Sequence, residues 1–311
     1  MSQEQFPDKK ESTAGRIVKL LLKLAITALC FWYISVKIDF SRAFAALVRA
    51  KLLFLIIALL FFIMSKLLSA VRLNIYFRNI DLRLPAWKNI KLYWLGMFYN
   101  LFLPGAISGD AYKVILLNRR YSAPYKKTSA AVLLDRFSGV LALGIILSVY
   151  GVVVFTERLY DSLLIAGALF AITLFYVVIR FLLKDFFSSF WPTLLWGLAV
   201  QACQVVCIYC ILLSLRIPLS AHEWIFIFLC SAVISVLPVS LGGGLGTREF
   251  VFAEGARLLL LEPQTGVVIS LLFYLITVAG SIGGLYFNFH DPLKDTVGKS
   301  ENKFVYDARG K

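Results

Sequence analysis

Leu103-Pro104-Gly105-Ala106-Ile107-Ser108-Gly109-Asp110 interrupts an apolar segment flanked on both sides by basic loops. A second apolar segment is interrupted in the same way, at Leu237-Pro238-Val239-Ser240-Leu241-Gly242-Gly243-Gly244-Leu245-Gly246-Thr247-Arg248-Glu249. Clusters of proline and glycine stop helices. In a bilayer, broken backbone survives only where protein or a water-filled cavity satisfies its polar groups. Paired breaks in corresponding places point to the binding site of a transporter.

The rest of the chain supplies the membrane context. Of its 311 residues, 60% are hydrophobic and 16% charged, with a mean hydropathy of +0.81. A soluble domain is nearer half apolar and about a quarter charged, so the composition is that of an integral membrane protein. The net charge of +14 sits in short loops between apolar spans. That pattern reads as cytoplasmic orientation and contact with anionic headgroups. It does not read as nucleic-acid binding, because no soluble basic domain is present to carry it. Cys30, Cys203, Cys207, Cys210 and Cys230 all fall in apolar spans, where small polarizable packing residues are expected. His222 and His290 lie at span edges and form no metal-ligand spacing. No metal or cofactor is implied.

Apolar runs that reach the roughly 20 residues needed to span occur at 17–36, 52–71, 128–155, 162–183, 190–215 and 266–289. The first broken segment, 92–117, is preceded by Arg72, Arg78, Arg83, Lys88 and Lys91 against Asp81. Arg119, Arg120, Lys126 and Lys127 follow it. Both flanks belong on the cytoplasmic side, and a segment with two cytoplasmic ends does not cross once. The arm from Lys91 to Leu103 makes only about 20 Å of helix, against a hydrocarbon core of about 30 Å. The spacing therefore predicts a re-entrant hairpin whose tip holds Pro104, Gly105 and Gly109. Segment 223–261, with Pro238 at its break, becomes a second hairpin entering from outside.

The expected architecture is an all-α integral membrane protein with six full spans and two opposed re-entrant hairpins. Span, span, hairpin, span repeats twice, over about 17–155 and 162–289. Three crossings per half make the halves inverted, as in many transporters. A cytoplasmic segment 1–16 precedes the membrane domain of 17–290, and a charged cytoplasmic tail, 291–311, follows. Eight conventional spans are the alternative. The 37–51 loop is basic yet should be external. Phe40, Phe44, Leu47 and Val48 share one helical face there, which suits a surface-lying amphipathic helix.

Several ionisable residues fall within or beside these spans. Asp135 and Arg136 lie about 12 Å into the third span, where charge is costly and faces an interior or a wet cavity. Adjacent residues on a helix do not face each other, so each needs a partner elsewhere. A structural ion pair with a hairpin residue and headgroup or proton chemistry are both open. Arg248 and Glu249 follow Gly243, Gly244 and Gly246 and open a helix. A glycine-rich turn into a helix N-terminus presents free N–H groups to an anion, and arginine adds a fork that matches phosphate. Glu249 is a candidate partner for Arg248 or Arg136. Asp110 and Lys113 follow the first glycine cluster in the same manner, and Asp110 alternatively caps the next helix. Asn100 precedes the break and can bond carbonyls freed there. Lys66 reads as a lysine near the inner end of its span that snorkels to the interface. No nucleophile–base pair and no P-loop is present, so an enzyme is not expected.

Asn100, Leu103-Pro104-Gly105, Gly109-Asp110, Asp135-Arg136, Leu237-Pro238, Gly243-Gly244, Gly246 and Arg248-Glu249, in that order, resemble the flippase-like membrane domain of the lysylphosphatidylglycerol synthase family. The resemblance covers about residues 15 to 290. Ala106 and Ser108 stand where that family often has more glycine, Lys113 where arginine is common, and Asp135 where glutamate is common. Lysine for arginine loses the bidentate fork. Full-length synthases append a soluble aminoacyl-transferase domain, and this chain ends about 20 residues after its last apolar run, so the resemblance implies the lipid-translocating half and not synthase activity. The expected function is a flippase-like translocase in a bacterial inner membrane, both termini cytoplasmic. It would bind the anionic headgroup of a phospholipid or polyprenyl-phosphate lipid through Arg248, Arg136, Lys113, Gly243, Gly244 and Gly246. Asp110, Asp135 and Glu249 would couple the cycle or form structural ion pairs. Partners would be membrane lipids. An accessory subunit of a lipid-modifying enzyme or glycosyltransferase, and a non-transporting scaffold, are the competing readings.

Overall fold

The computed structural model describes residues 50–102, 108–155, 157–236 and 247–293, together with Ala45 and Val48. The first expected span, most of the 37–51 segment, the tip residues Pro104, Gly105, Pro238, Gly243, Gly244 and Gly246, and the tail from 294 lie outside them.

All regular structure among the described residues is helical. Helix α1 spans Leu52–Arg78, α2 Ala86–Phe102, α3 Ser108–Tyr121, α4 Tyr125–Val154 and α5 Arg158–Leu182. A 3₁₀ turn, Lys184–Ser189, leads into α6, Phe190–Ser214. Then come α7, His222–Val236; α8, Thr247–Leu258; α9, Pro263–Ser281; and α10, Gly283–Phe289. Prolines punctuate the starts: Pro124 precedes α4 in extended conformation, and Pro263 opens α9, where its missing N–H costs nothing.

Five stretches are long and apolar enough to cross a bilayer: Leu52–Arg78, Tyr125–Val154, Arg158–Leu182, Lys184–Ser214 and Pro263–Phe289. They match five of the six expected spans. One boundary differs with consequence. No glycine or proline interrupts Leu52–Arg78, so α1 runs past residue 71 and takes Arg72 with it. Arg72 is not a loop charge; it is 4% exposed, inside the helix bundle.

The two interrupted segments form pairs of short helices. At 17, 14, 15 and 12 residues, α2, α3, α7 and α8 measure about 25, 21, 22 and 18 Å. None reaches across a core of about 30 Å. In the first pair α2 and α3 run antiparallel in close contact. Asn100 Oδ1 accepts from the Gly109 N–H at 2.8 Å, and Lys113 lies across Gly96. The backbones nearly touch: a Cβ on Gly109 would sit 2.0 Å from the Gly96 carbonyl oxygen.

At the centre, α1 and α6 pack antiparallel along their whole length. The Lys51 N–H donates to the Ser214 carbonyl at one end, and the Tyr76 hydroxyl donates to Thr193 Oγ1 near the other. The remaining contacts are reciprocal between the two expected halves. Helix α4 of the first packs on α6 and α7 of the second, and α9 of the second packs on α1 and α2 of the first, with α10 extending the contact to α2. Trp94 Nε1 donates to the Gly280 carbonyl at 2.9 Å, and Tyr99 donates to Asn288 Oδ1 at 2.6 Å. Helix α5 stands at the periphery, with Ile179 its one buried side chain.

Because the obstacle at Gly109 is backbone, Gly109→Ala forces α2 and α3 apart. We expect it to lower the stability of the purified protein by about 1–3 kcal/mol, the usual cost of overpacking, read as a lower thermal midpoint in detergent. Gly144→Ala, which meets nothing within 4 Å, should leave that midpoint unchanged.

Candidate functional site

Charge buried in a bilayer interior must be paired or must face a wet cavity, so the ionisable residues inside the bundle define the site. Arg72 on α1 donates from Nε to Asp135 Oδ1 on α4 at 2.8 Å. The guanidinium fits where two neighbouring helices lack side chains. A Cβ on Gly139 of α4 would be 3.2 Å from its Nη atoms, and one on Gly197 of α6 3.3 Å from Nη1. The pair therefore ties α1 and α4 together against α6.

Asp110, in the first turn of α3, is held by two cations. Lys113 Nζ donates to its Oδ1 at 2.9 Å, and Arg136 Nε donates to its Oδ2. Lys113 also lies 4.4 Å from the centre of the Tyr93 ring on α2. Asp110 is not the N-cap of α3: it lies inside the helix, in its first turn, and its carboxylate is taken by the two cations, while the Gly109 N–H donates to Asn100 of the opposite arm. Asn100 thus satisfies a free donor at the start of α3, where a bond to freed carbonyls was expected. Asp135 and Arg136 point to different partners, as helix geometry requires.

Arg248 opens α8 and is buried, at 8% exposure. Its guanidinium lies 4.7 Å from the centre of the Phe273 ring. Its Nε and Nη1 have no hydrogen-bond partner, and it joins no ion pair among the described residues. Glu249, within the field of Arg248, accepts from Ser270 Oγ at 3.3 Å. Lys66, within the field of Arg248, lies with Nζ 4.8 Å from the centre of the Phe62 ring. The Phe62 and Phe273 rings meet edge to face at 6.0 Å, so the two cations flank one aromatic pair. Lys66 does not extend toward the Arg78 end of α1 but lies over Phe62, one turn back. It stands near the middle of α1, about 18 Å from the Arg78 end, within the field of Arg248, Arg72 and Asp135.

With that geometry in place, comparison with known proteins is informative. A family model described as "Lysylphosphatidylglycerol synthase TM region" matches residues 20–284. The chain belongs to this family. A UPF0104 membrane protein of Pyrococcus horikoshii is 27% identical over 124 residues, covering 39% of this chain and 36% of that protein. The match spans about a third of that relative's length. No solved structure matches.

For this member of the lysylphosphatidylglycerol synthase transmembrane family, the structure gathers Asp110, Lys113, Asp135, Arg136, Arg248 and Glu249 into the bundle interior. It places Gly109 at the contact between the hairpin arms. Gly243, Gly244 and Gly246, like Pro104, Gly105 and Pro238, lie outside the described residues. Sequence reading missed two members of the cluster. Arg72 was assigned to a loop, although the apolar pattern continuing to Phe77 and the unmet need of Asp135 both pointed to it. Lys66 was assigned to the interface because α1 was read as ending about two turns too early.

The buried pair yields an asymmetric prediction. Asp135→Ala leaves Arg72 charged and alone, and should cost about 3–5 kcal/mol of stability. The double variant Arg72→Met with Asp135→Leu removes both charges and should recover most of that loss. Detergent-titration unfolding of the three proteins checks it. Equal destabilisation in the single and double variants would mean that the pair is not the source.

Proposed function

We propose that this protein is a lipid translocase of the cytoplasmic membrane, binding the anionic headgroup of a membrane lipid between its two halves and carrying it across the bilayer. The observation that carries this reading is Arg248. It is a buried guanidinium in the first turn of a helix, with Nε and Nη1 unpartnered. An arginine in that state is stable only if an anion completes it, and the adjoining helix N-terminus favours the same charge.

The rest of the arrangement supports the reading. The helices of the pairs α2–α3 and α7–α8, too short to cross, would end within the membrane, the construction found around transporter substrate sites. Arg136 and Lys113, already shared with Asp110, form a second basic surface that the headgroup meets as it moves. Acyl chains stay in lipid while the charged head passes through the bundle. The basic loops favour a cytoplasmic side for both termini. The membership in a synthase transmembrane family agrees with lipid handling. The membrane domain acts by binding and rocking, without covalent chemistry.

The test is transbilayer movement of labelled anionic phospholipid in proteoliposomes. Wild type should accelerate it over protein-free vesicles. Arg248→Ala should reduce the accelerated rate about tenfold or more, the weight of one charge-assisted contact, and Arg248→Lys should retain part of it. Equal rates for wild type and Arg248→Ala, with both proteins folded, would refute the headgroup site.

A further inference from the structure

A groove opens between the end of α1 and the start of α2, at the basic stretch of Arg78, Arg83, Lys88 and Lys91. Val71, Asn74, Ile75 and Arg78 line it from α1, and Asn89 and Ile90 from α2. Its volume is about 410 Å³, mouth included, a size that holds a small ligand. Trp87 beside it is 63% exposed, with Lys91 Nζ 5.3 Å from the centre of its ring. Tryptophan and basic side chains of this kind settle at the level of lipid headgroups.

Two buried asparagines in this groove each have an oxygen to spare. Asn74 is 6% exposed and Asn89 1%. Asn74 Nδ2 donates to the Leu84 carbonyl at 3.2 Å, and Asn89 Nδ2 donates to the Ala70 carbonyl at 2.6 Å. These bonds fix both amides, because either one turned over would set oxygen against oxygen. Both Oδ1 atoms are left without a hydrogen-bond partner. Buried acceptors are nearly always bonded, so two of them lining one groove call for a donor from a ligand. The opposite character lies beside them. Arg78 is exposed, and α2 begins on the groove at Ala86, where N–H groups of the first turn favour an anion. Val71, Ile75 and Ile90, each partly exposed, add an apolar surface for the start of an acyl chain.

We propose that this groove is a binding site for a phospholipid with a primary-amine headgroup, phosphatidylethanolamine. Its ammonium would donate to Asn74 and Asn89 Oδ1, and its phosphate would accept from Arg78. An ammonium has donors only and a phosphate diester acceptors only, which matches the two kinds of group that the groove presents. A choline headgroup has no N–H to give and would leave both oxygens unmet, a costly state for a buried acceptor. The site shares no residue with the Arg248 site and does not depend on the translocase reading.

Phosphatidylethanolamine, its N,N-dimethyl form and phosphatidylcholine, with matched acyl chains, carry the same net charge and lose their N–H donors in steps. A site that reads charge alone does not separate them. The full chain is reconstituted in nanodiscs holding the three in equal amounts, and lipid retained on the protein is read by native mass spectrometry. Wild type should retain phosphatidylethanolamine at least about tenfold over phosphatidylcholine, with the dimethyl form between. Asn74→Leu should bring that ratio close to one. Asn74→Asp, which keeps the acceptor and loses the bond to the Leu84 carbonyl, should keep the preference, as a merely structural role for the asparagine would not. Arg78→Gln, at an exposed position, should lower the phosphatidylethanolamine retained several-fold. A thermal midpoint for each variant establishes that it is folded. Equal retention of the three lipids by wild type overturns the proposal, as does an unchanged ratio in folded Asn74→Leu or undiminished retention in Arg78→Gln.

Discussion

A charge buried in this bundle must be answered by a partner side chain or by a bound ion, because lipid offers no water to do so. That constraint explains much of the architecture. Arg72 reaches Asp135 at 2.8 Å only because α4 and α6 present Gly139 and Gly197 to its guanidinium. Larger residues there would push the helices apart or the arginine aside. Asp110 is fixed by cations from two different helices, Lys113 on its own α3 and Arg136 on α4, so the hairpin is tied to the following span at its inner end. The helices adjoin where the charges require it, and apolar clusters of leucine, isoleucine and phenylalanine fill the remaining space.

Close backbone approach is the second device. Lipid tails are as apolar as leucine, so helices in a membrane associate through packing and hydrogen bonds more than through water exclusion. The glycine contacts follow that logic. Gly109 meets the Gly96 carbonyl, and Gly284 lies where a Cβ would be 2.4 Å from the Trp94 carbonyl oxygen. The same tryptophan donates to Gly280. Each contact joins a hairpin arm to a partner that a side chain would have held at a distance.

How far the sequence disclosed this depended on whether the signal was local. Span positions and the two interruptions were legible, because a 20-residue apolar run and a Pro-Gly cluster are properties of contiguous residues. The shortness of the arms followed from counting residues between Lys91 and Leu103. The side-chain pairing was not legible. Asp135 plainly needed a cation, but Arg72 lies 63 positions away and looked like the first charge of a basic loop. The helix does not stop at residue 71, since nothing in Val71 to Arg78 breaks it, and a hydropathy window misses a continuation that carries arginine and asparagine. Lys66 was misplaced by the same error: shifting the helix end from 71 to 78 moves that lysine from the interface to the middle. Asn100 was recognised as important and given the wrong bond, because which backbone group it meets depends on how the arms fold back. Gly243, Gly244 and Gly246 lie outside the described residues.

The bonds named here are unevenly distributed, and that bears on how the molecule would move. The buried ion pairs of Arg72 with Asp135 and of Asp110 with Lys113 and Arg136 all join helices of the first half. Between the halves run neutral hydrogen bonds, among them Lys51 N–H to the Ser214 carbonyl, Tyr76 to Thr193, Trp94 to the Gly280 carbonyl, Tyr99 to Asn288, and Gln201 to the Gly139 carbonyl, and an exposed ion pair, Lys127 to Asp185, of the kind that contributes little. A neutral hydrogen bond contributes about 0.5–1.5 kcal/mol net, whereas breaking a buried ion pair costs several times that. Relative motion of the halves would thus break weak contacts and leave the strong ones intact. Lys66 and Arg248 come from the two sides of this same seam, one from each half, each against one ring of the Phe62–Phe273 pair. On the reading proposed above, a headgroup bound at Arg248 would add a charged contact to that seam. The headgroup would then be both the cargo and the charge that lets the two halves close around it.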